Sequence, residues 1–401
     1  MNQYLKYQLL KQSFSGIKLF QFFFCIPIFF LLLTGCSTKI RLYGSPSATQ
    51  YTKAVIKGYN ANIRYWGDEK ATINGADIQR LKANKKLFQE INILALSGGA
   101  EDGSYGAGFL NGWSKRGNRP QFTMVTGIST GALIAPFAFL GSQYDHILKR
   151  FYTQTSTKNI LSYTIVGALF GGSAIADTAP LKYTIKKEIN NNLVAKLAKE
   201  GEKGRVLLIG TTNIDAQRPV VWNITKIAMS GRKDAKKLIQ DIILASASIP
   251  AVFPPVLIDV MIDGKHYQEA HVDGSVTRQI FVYSRTVNIY EYQNLLGLNP
   301  KKNLWLIRNT KIDPVYSPVT LSLKDIAERS ISTLVKYQGR DNIYNIISIA
   351  QRDGFNVHIT NVPKDFNVPL KEFFDPNYMQ ALYEVGYKKG VSESPWQKEI
   401  K

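Results

Sequence analysis

The sequence predicts an α/β domain in which a central, mostly parallel sheet is flanked by helices. Two kinds of segment alternate along the chain. Short apolar runs such as "INILALS" and "FTMVTG" are typical of buried strands, whereas "DAKKLIQDIILASAS" repeats its apolar residues at the period of a helix. Strands that alternate with helices need crossover connections, and these favour a parallel sheet.

The predicted elements follow one another from Ile91 onward. The further strands are "RVLLIGTTN", "RPVVWNI", "KNLWLIRN" and "FNVHIT". The further helices are "GALIAPFAFLG", "TAPLKYTIKKEINNNLVAKLAKEG", "LKDIAERSISTLVKYQGRDNIYNIISIAQRDG" and "PNYMQALYEVGYKKG". Residues 36–90 are polar and irregular, and they predict a tether and leading segment before a domain at 91–391. The apolar stretch 159–176 fits either ordinary core or part of a lipid-facing cap.

The composition of the 401 residues bounds the function. It is 45% hydrophobic and 20% charged, which supplies a substantial core. The formal net charge of +20 favours anionic partners, of which membrane lipid and nucleic acid are the usual two. Basic residues are spread along the chain and do not cluster with aromatic ones, so no nucleic-acid partner is expected. A lysine-rich, solvated surface explains the same charge.

The N-terminus resembles the signal of a bacterial lipoprotein. Lysines precede an apolar run, Leu19 to Leu33, that is short for a membrane-spanning helix, and "LTGC" resembles a lipobox. Residues 1–35 are therefore expected to be a signal peptide, and Cys36 the lipidated first residue of the mature chain. Ser37 follows it instead of an aspartate, which by resemblance to sorting rules predicts the outer membrane, with the cell surface as an alternative. An uncleaved anchor helix is the competing interpretation.

The two cysteines of the sequence do not predict a disulfide. Cys25 falls in the predicted signal and Cys36 is the predicted acylation site, so the mature domain would have neither a disulfide nor a thiolate metal site. No other cluster of metal-ligating residues is visible in the sequence. We expect neither a metal nor a cofactor.

Ser129 is the first candidate for chemistry. It is the centre of G-x-S-x-G in "TGISTGALIAPFAFLG", after a predicted strand and before a predicted helix. In that setting the motif is a nucleophile elbow: small residues let strand and helix approach closely, and the serine hydroxyl is exposed on a strained turn. The N-terminus of the helix favours developing negative charge. A tight turn that happens to contain serine is the alternative.

A glycine-rich loop, "LSGGAEDGSYGAGFL", follows the strand that begins at Ile91. Backbone amides without side chains beside them can bind a phosphate or an oxyanion. A P-loop would end in G-K-[ST], which is missing, and a dinucleotide fingerprint needs G-x-G-x-x-G where this loop has G-x-x-G-x-G. An oxyanion hole for Ser129 is the better interpretation.

A third segment, "EAHVDGSV", places Asp273 in a turn after a predicted strand. A carboxylate can take the proton of a serine directly if it lies within hydrogen-bonding reach. An isolated Asp-Gly pair is more often only a turn.

Together these segments resemble the patatin-like phospholipase family, in its bacterial lipoprotein branch, over Asn92 to Gly390. The stretches that carry the resemblance are "LSGGAEDGSYGAGFLNGW", "VTGISTGALIAPFAFLG", "GGSAIADTAPL", "IGTTNIDAQRPVVWNI", "ILASASIPAVFPPV", "HVDGSVTRQI", "LWLIRNTKIDP" and "FDPNYMQALYEVGY". The resemblance implies a patatin-like three-layer acyl hydrolase domain at 91–391 and a Ser–Asp dyad, which falls on Ser129 and Asp273. It also implies oxyanion donors from the backbone around Gly98, Gly99 and Ala100.

Two positions depart from the family pattern. Ala100 stands where the family has a third consecutive glycine, and alanine resists the positive φ that glycine accepts. Asp102 stands where plant and cytosolic relatives have an arginine, so any role of that arginine in binding phosphate is in doubt for this chain.

A Ser–His–Asp triad is the alternative to the dyad. His358 would complete the order of α/β-hydrolases, but it lies inside a predicted strand, where a triad histidine is unusual. His271 precedes Asp273 by two residues, so both side chains would lie on the same side of a strand, and His271 could line the site. An ordinary packing or surface role is the competing interpretation for both.

The sequence thus predicts a membrane-anchored lipid acyl hydrolase of the phospholipase A or lysophospholipase type. Its substrate would be a phospholipid or another acyl lipid, and its membrane contacts would be the lipidated Cys36 and the basic surface. Two alternatives remain. One is a catalytically weak or inactive lipid-binding protein of the same fold, and the other is a hydrolase of soluble esters that uses a triad.

Overall fold

The computed structural model describes residues 41–59, 61–70, 73–163, 174 and 176–399. The predicted signal peptide at 1–35, Cys36 and most of the apolar stretch 159–176 lie outside these residues. Within them, no helix combines the length and the apolar character that crossing a membrane requires.

The described strands begin and end as follows: β1 Arg64–Trp66, β2 Glu90–Leu96, β3 Met124–Ile128, β4 Ser162–Tyr163, β5 Ala176–Asp177, β6 Val206–Asn213, β7 Arg218–Asn223, β8 Val256–Ile262, β9 Lys265–Asp273, β10 Lys301–Arg308 and β11 Asn356–Asn361. Nine of them form one sheet, and β4 pairs only with β5.

The described helices are α1 Gly75–Ala83, α2 Gly103–Arg116, α3 Thr130–Leu140, α4 Asp145–Gln154, α5 Thr157–Ile160, α6 Ala179–Glu188, α7 Asn191–Glu202, α8 Ile224–Met229, α9 Ala235–Ser246, α10 Ile289–Leu296, α11 Leu323–Arg352 and α12 Pro376–Val391. The single helical stretch predicted from Thr178 to Gly201 is two helices, because Asn190 breaks it. The Asn190 side chain accepts a hydrogen bond from the amide of Leu193 and so caps α7.

The large sheet is parallel at its centre. Its order is β1-β7-β6-β3-β2-β10-β11, and the five neighbours from β6 to β11 all run in the same direction. The strands β1 and β7 add an antiparallel edge, and the hairpin of β8 and β9 pairs with the last residues of β6. The predicted α/β class with a mostly parallel sheet is confirmed.

Helices cover both faces of this sheet, as alternation along β2 shows. Ile93 and Ala95 pack in one apolar cluster with residues of α11. Leu94 and Leu96 belong to the other, larger cluster, which includes residues of α2, α3 and α9. Successive side chains of a strand point to opposite faces, so an uninterrupted apolar run such as β2 is what a sheet buried on both sides needs. The result is three layers.

The leading segment before residue 91 is part of this fold. Its residues Arg64–Trp66 form β1 and pair with β7, and Val55 bridges to Met261 of β8. A boundary at residue 91 would cut this sheet, so the described residues of the predicted tether belong to the domain. A three-residue strand at an antiparallel edge has too little sequence pattern to be predicted.

A buried ion pair ties this segment to the strand that ends at Asp273. Arg64 Nη1 lies 2.5 Å from Glu269 Oε2, and Arg64 Nη2 lies 3.0 Å from Glu269 Oε1. Burial alone would raise the pKa of Glu269, but Arg64 and His271 hold it down to about 2. The carboxylate is therefore charged, and its charge depends on Arg64.

Replacing Arg64 by leucine is expected to lower the free energy of unfolding by about 3–5 kcal/mol, because it leaves the Glu269 carboxylate buried without its cation. Chemical denaturation at pH 7 measures the change. The matched control is Lys237→Leu, whose ion pair with Asp241 is on the surface and contributes about 1 kcal/mol at most. Equal effects of the two substitutions would contradict a structural role for the leading segment.

Candidate active site

Ser129 lies on a strained turn between β3 and α3. Its φ is 55° and its ψ is −123°, a conformation that residues other than glycine rarely adopt. The glycines on either side make the turn possible: a Cβ on Gly127 would overlap the carbonyl oxygen of Gly131, and one on Gly131 would overlap that of Leu96. The predicted strand–turn–helix setting of the G-x-S-x-G motif is therefore present.

The sheet brings Ser129 and Asp273 together. Along one edge of β6, β3 pairs up to the match of Ile128 with Gly210. Directly after that point β9 pairs with the same edge of β6, with Asp273 opposite Thr211. The residue that follows β3 and the residue that ends β9 are therefore neighbours in space, although they are far apart in the sequence.

Both residues are nearly inaccessible to solvent, with Ser129 4% and Asp273 2% exposed. The Ser129 hydroxyl lies close enough to the Asp273 carboxylate to stabilise its charge. One carboxylate oxygen accepts a hydrogen bond from the amide of Ser275 at 2.7 Å, and the Asp273 amide donates to the carbonyl of Ser248 at 2.9 Å. These bonds fix the direction of the carboxylate.

Burial raises the pKa of Asp273 to about 6, although the contacts with Ser129 and Ser275 oppose the rise. At neutral pH the group is still mainly ionised, but it is a stronger base than an exposed aspartate. A base whose pKa is near the working pH is suited to accept the proton of a serine.

Ser246 is a positioning residue that the sequence analysis missed. Its hydroxyl accepts a hydrogen bond from the Ser129 amide at 3.0 Å and donates one to the carbonyl of Gly210 at 2.7 Å. It therefore ties the strained turn to β6. Its stretch, "ILASASIPAVFPPV", was among those that carried the family resemblance, but nothing in the sequence indicated this contact.

The glycine loop reaches Ser129, but its three predicted oxyanion donors are not equivalent. A Cβ on Gly98 would lie 3.2 Å from the Ser129 Cβ, so the loop is in contact with the turn. The Gly98 amide already donates to the carbonyl of Gln279 at 3.0 Å, and it is not free to bind an oxyanion. The prediction for Gly98 is therefore wrong in this respect, because a partner from another part of the chain occupies its amide.

The amides of Gly99 and Ala100 have no acceptor within the described part of the chain, which leaves them available. Gly99 has a φ of 154° and Ala100 a φ of 47°. The amide of Thr130, at the first turn of α3, likewise has no acceptor among the described residues. Thr130 was not predicted as an oxyanion donor. In hydrolases with a nucleophile elbow the amide after the nucleophile is a usual oxyanion donor.

Ala100 adopts the positive φ that alanine resists, so Ala100→Gly is expected to raise the free energy of unfolding by about 1 kcal/mol. The backbone amide is unchanged by this substitution, and ester hydrolysis should persist. Chemical denaturation measures the effect. The control is Ala107→Gly inside α2, which should lower stability by about 1 kcal/mol or more. A loss of stability in both variants would contradict the strain at Ala100.

An apolar pocket opens beside the turn. Its wall includes the side chains of Leu133, Phe151, Leu181, Phe253 and Phe374, next to Ser129 itself. These side chains offer a polar ligand no hydrogen-bond partner, so the pocket favours an apolar group. Its volume of about 20 Å³ holds only the first few atoms of such a group in this conformation.

Asp102, which lies where relatives have an arginine, does not provide a cation at this position. Its carboxylate accepts a hydrogen bond from the Tyr378 hydroxyl at 2.5 Å, and burial raises its pKa to about 6. The buried guanidinium of Arg308, at the end of β10, is the first of the cations that oppose this rise. The cation that acts most strongly on the Asp102 carboxylate therefore comes from another strand.

None of the four histidines, all of which are in the described part of the chain, forms a hydrogen bond with Ser129 or Asp273. His271 is buried and bonded to Thr211 and Glu269, at 3.0 Å each. The ring of His358 stacks on Trp305 with centroids 3.9 Å apart, and burial together with two lysines lowers its pKa to about 4. The structure brings together a serine and a carboxylate, and it gives both triad candidates packing roles.

Residues 94–284 match the model of the patatin-like phospholipase family. The match confirms the predicted family over these residues, a little less than half of the chain, and such a family supports a lipid acyl hydrolase. The strands β10 and β11 and the helices α11 and α12 lie beyond the matched residues but belong to the same three layers.

No match is found among curated proteins. Among solved structures, the chain is similar to the crystal structure of VipD from Legionella pneumophila, with 11% sequence identity and a TM-score of 0.32. The similarity covers 76% of this chain and 66% of the VipD chain, so slightly less than two thirds of VipD is spanned.

Proposed function

We propose that this chain is a phospholipase A or lysophospholipase that cleaves a carboxylic ester through Ser129 and Asp273. The observation that carries the proposal is their convergence. A strained, buried serine faces a carboxylate of raised pKa, beside an apolar pocket and backbone amides that have no acceptor among the described residues. The family supplies the general class of lipid acyl hydrolase.

The arrangement supports a two-step reaction. Ser129 Oγ attacks the ester carbonyl while Asp273 accepts its proton, and the amides of Gly99, Ala100 and Thr130 stabilise the oxyanion. Collapse of the tetrahedral intermediate breaks the bond to the leaving alcohol, which takes the proton from Asp273. Water then attacks the acyl-enzyme with Asp273 again as base, and it releases the fatty acid and restores Ser129.

The membrane association that the sequence predicts is part of the proposal. Acylation of Cys36 at the outer membrane, or on the cell surface, would keep the enzyme beside its substrate. The positive net charge that remains after residues 1–35 and their three lysines are removed would favour anionic lipid. A single acyl chain holds a protein only marginally, so the several chains of a processed lipoprotein are needed for retention. Mass spectrometry of the N-terminal peptide from the membrane fraction tests this, because a peptide that begins at an unmodified residue would overturn it.

The experiment that tests the activity is fatty-acid release by the purified full chain. Vesicles of phosphatidylcholine, phosphatidylglycerol and the corresponding lysophospholipids are compared with a soluble short-chain ester. Release that rises when the lipid aggregates supports a lipase, and release from the soluble ester alone supports the soluble-ester alternative. Vesicle binding without release supports the inactive lipid-binding alternative.

The variant His358→Ala separates the dyad from the triad in the same assay. Since His358 packs on Trp305, away from Ser129, release should stay within about threefold of the wild type. A folded His358→Ala protein without activity would replace the dyad by the triad.

A further inference from the structure

In the first half of α11 the apolar side of the helix is exposed to solvent. Its apolar side chains, which we name the outer face, are Leu323, Ile326, Ile331, Leu334, Val335 and Tyr337, and each is 41–88% exposed. In a helix that packs on a domain, such a stripe is normally the buried side.

The polar side of the same turns contacts the loop 311–315, which precedes the helix. Arg329 donates to the carbonyl of Val315 at 2.5 Å, and Lys336 donates to the carbonyl of Asp313 at 3.0 Å. From Gly339 onward the helix changes character, and Gly339, Ile343, Ile346 and Ala350 are buried. The second half of α11 thus packs on the sheet, and it holds the outer face out towards solvent.

We propose that the outer face docks on an anionic phospholipid bilayer. This inference rests on the proposed function, because an enzyme whose substrate is a bilayer lipid must meet the bilayer with a defined surface. An apolar helix face parallel to the membrane, with polar side chains on its other side, is how peripheral proteins insert at the interface. The net charge of +20 favours the approach of the chain to an anionic lipid surface over a neutral one.

Charges close to the outer face are balanced. Lys324 and Glu328, on its rim, lie 3.9 Å apart, and Arg340 lies beside the ring of Tyr337. The contact itself would therefore depend mainly on apolar burial, while the anionic preference would come from the charge of the whole chain. Leu321, just before the helix, is 90% exposed and extends the apolar surface.

The helix is also connected to the glycine loop. Asn342 accepts a hydrogen bond from the amide of Gln279 at 2.8 Å, and Gln279 accepts one from Gly98 through its carbonyl. Gln338 donates to the carbonyl of Thr277, four residues after Asp273. Docking through α11 would therefore hold the site of Ser129 and Asp273 in a fixed orientation at the lipid surface.

The test places a tryptophan on each side of the helix. The full chain with Leu334→Trp, or with Ser332→Trp as matched control, is added to phosphatidylglycerol vesicles whose acyl chains are brominated. Bromine quenches tryptophan on contact, so the emission added by Trp at 334 should fall by about half, while that at 332 should be little changed. Absence of quenching at 334, or equal quenching at both positions, would overturn the proposal. An N-terminal lipid anchor would not by itself produce a difference in quenching between positions 334 and 332.

A second pair of variants links docking to turnover. Leu334→Glu should reduce hydrolysis of phosphatidylglycerol vesicles by about tenfold or more, because it removes apolar burial and adds a negative charge. Ser332→Glu adds the same charge on the opposite side, and it should stay within about twofold. Both should hydrolyse a soluble short-chain ester like the wild type, because neither residue contacts the site.

The outcomes separate this inference from the proposed function. A wild type that hydrolyses no ester but shows the quenching pattern would end the proposed function and leave the docking surface standing. Equal quenching with phosphatidylcholine would overturn the anionic preference. A dimer that Leu334→Glu dissociates in sedimentation, with no quenching at 334, would assign the outer face to a second copy of the chain and overturn bilayer docking.

Discussion

Replacing Ser129 by alanine is expected to reduce fatty-acid release by a factor of about 10³ or more, because it removes the hydroxyl that forms the acyl-enzyme. The fold should persist. The Ser129 amide, which bonds to Ser246, and the Cβ, which contacts the glycine loop, both remain in the variant. Release from phospholipid vesicles and thermal unfolding are measured on the same preparation.

The control for this substitution is Ser348→Ala, an exposed serine of α11 whose hydroxyl donates to the carbonyl of Tyr344 in the same helix. It should release fatty acid at the wild-type rate. A Ser129→Ala protein that keeps a tenth or more of the wild-type activity would show that another nucleophile does the chemistry.

The second large effect is expected at Asp273. Asparagine has nearly the same shape and can still accept the hydrogen bond from the Ser275 amide, so the turn should keep its structure. It cannot accept the serine proton, and kcat should fall by a factor of about 10²–10⁴, the usual contribution of a general base. An Asp273→Asn protein of normal activity would assign the base to another group.

The wild-type pH dependence follows from the same residue. A general base must be deprotonated to act, and burial raises the pKa of Asp273 to about 6. The value of kcat/KM should therefore be low at pH 5, rise through about pH 6 and level off above pH 7. Asp102 is the control, because burial raises its pKa to about 6 as well. The rise should persist in Asp102→Asn and disappear from the residual activity of Asp273→Asn.

Local patterns made much of the fold predictable. The apolar runs that became β2, β3, β6 and β10 are buried on both faces, and such strands show few polar interruptions. The turn at Ser129 was predictable too, since the steric demands on Gly127 and Gly131 act within a few residues.

Other features depend on partners that are distant in the sequence. Nothing near Gly98 indicates that its amide is bonded to Gln279, and nothing in "RYW" indicates an edge strand. The pairing of Ser129 with Asp273 was inferred from motifs and a family resemblance. Its structural cause is that β3 pairs with the first part of β6 and β9 with the last part, along the same edge. This pairing depends on the tertiary structure and leaves no local sequence pattern.

One missed element did have a signal. The Asp263-Gly264 pair follows "VLIDVMI", a segment rich in β-branched residues, and Asp-Gly is a common hairpin turn. It joins β8 to β9, where both turn residues have positive φ. The outer face of α11 shows the opposite case. Its apolar periodicity correctly predicts a helix, but the usual inference that the apolar side is buried is wrong here.

Covalent labelling of the active serine decides the role of Ser129 most directly. The full chain is treated with a fluorophosphonate that carries an alkyl chain, digested and analysed by mass spectrometry. We expect one adduct, on the peptide that contains Ser129, formed rapidly in the wild type and far more slowly in Asp273→Asn. An active protein that stays unlabelled at Ser129, or whose label is on another residue, would contradict the Ser129–Asp273 mechanism.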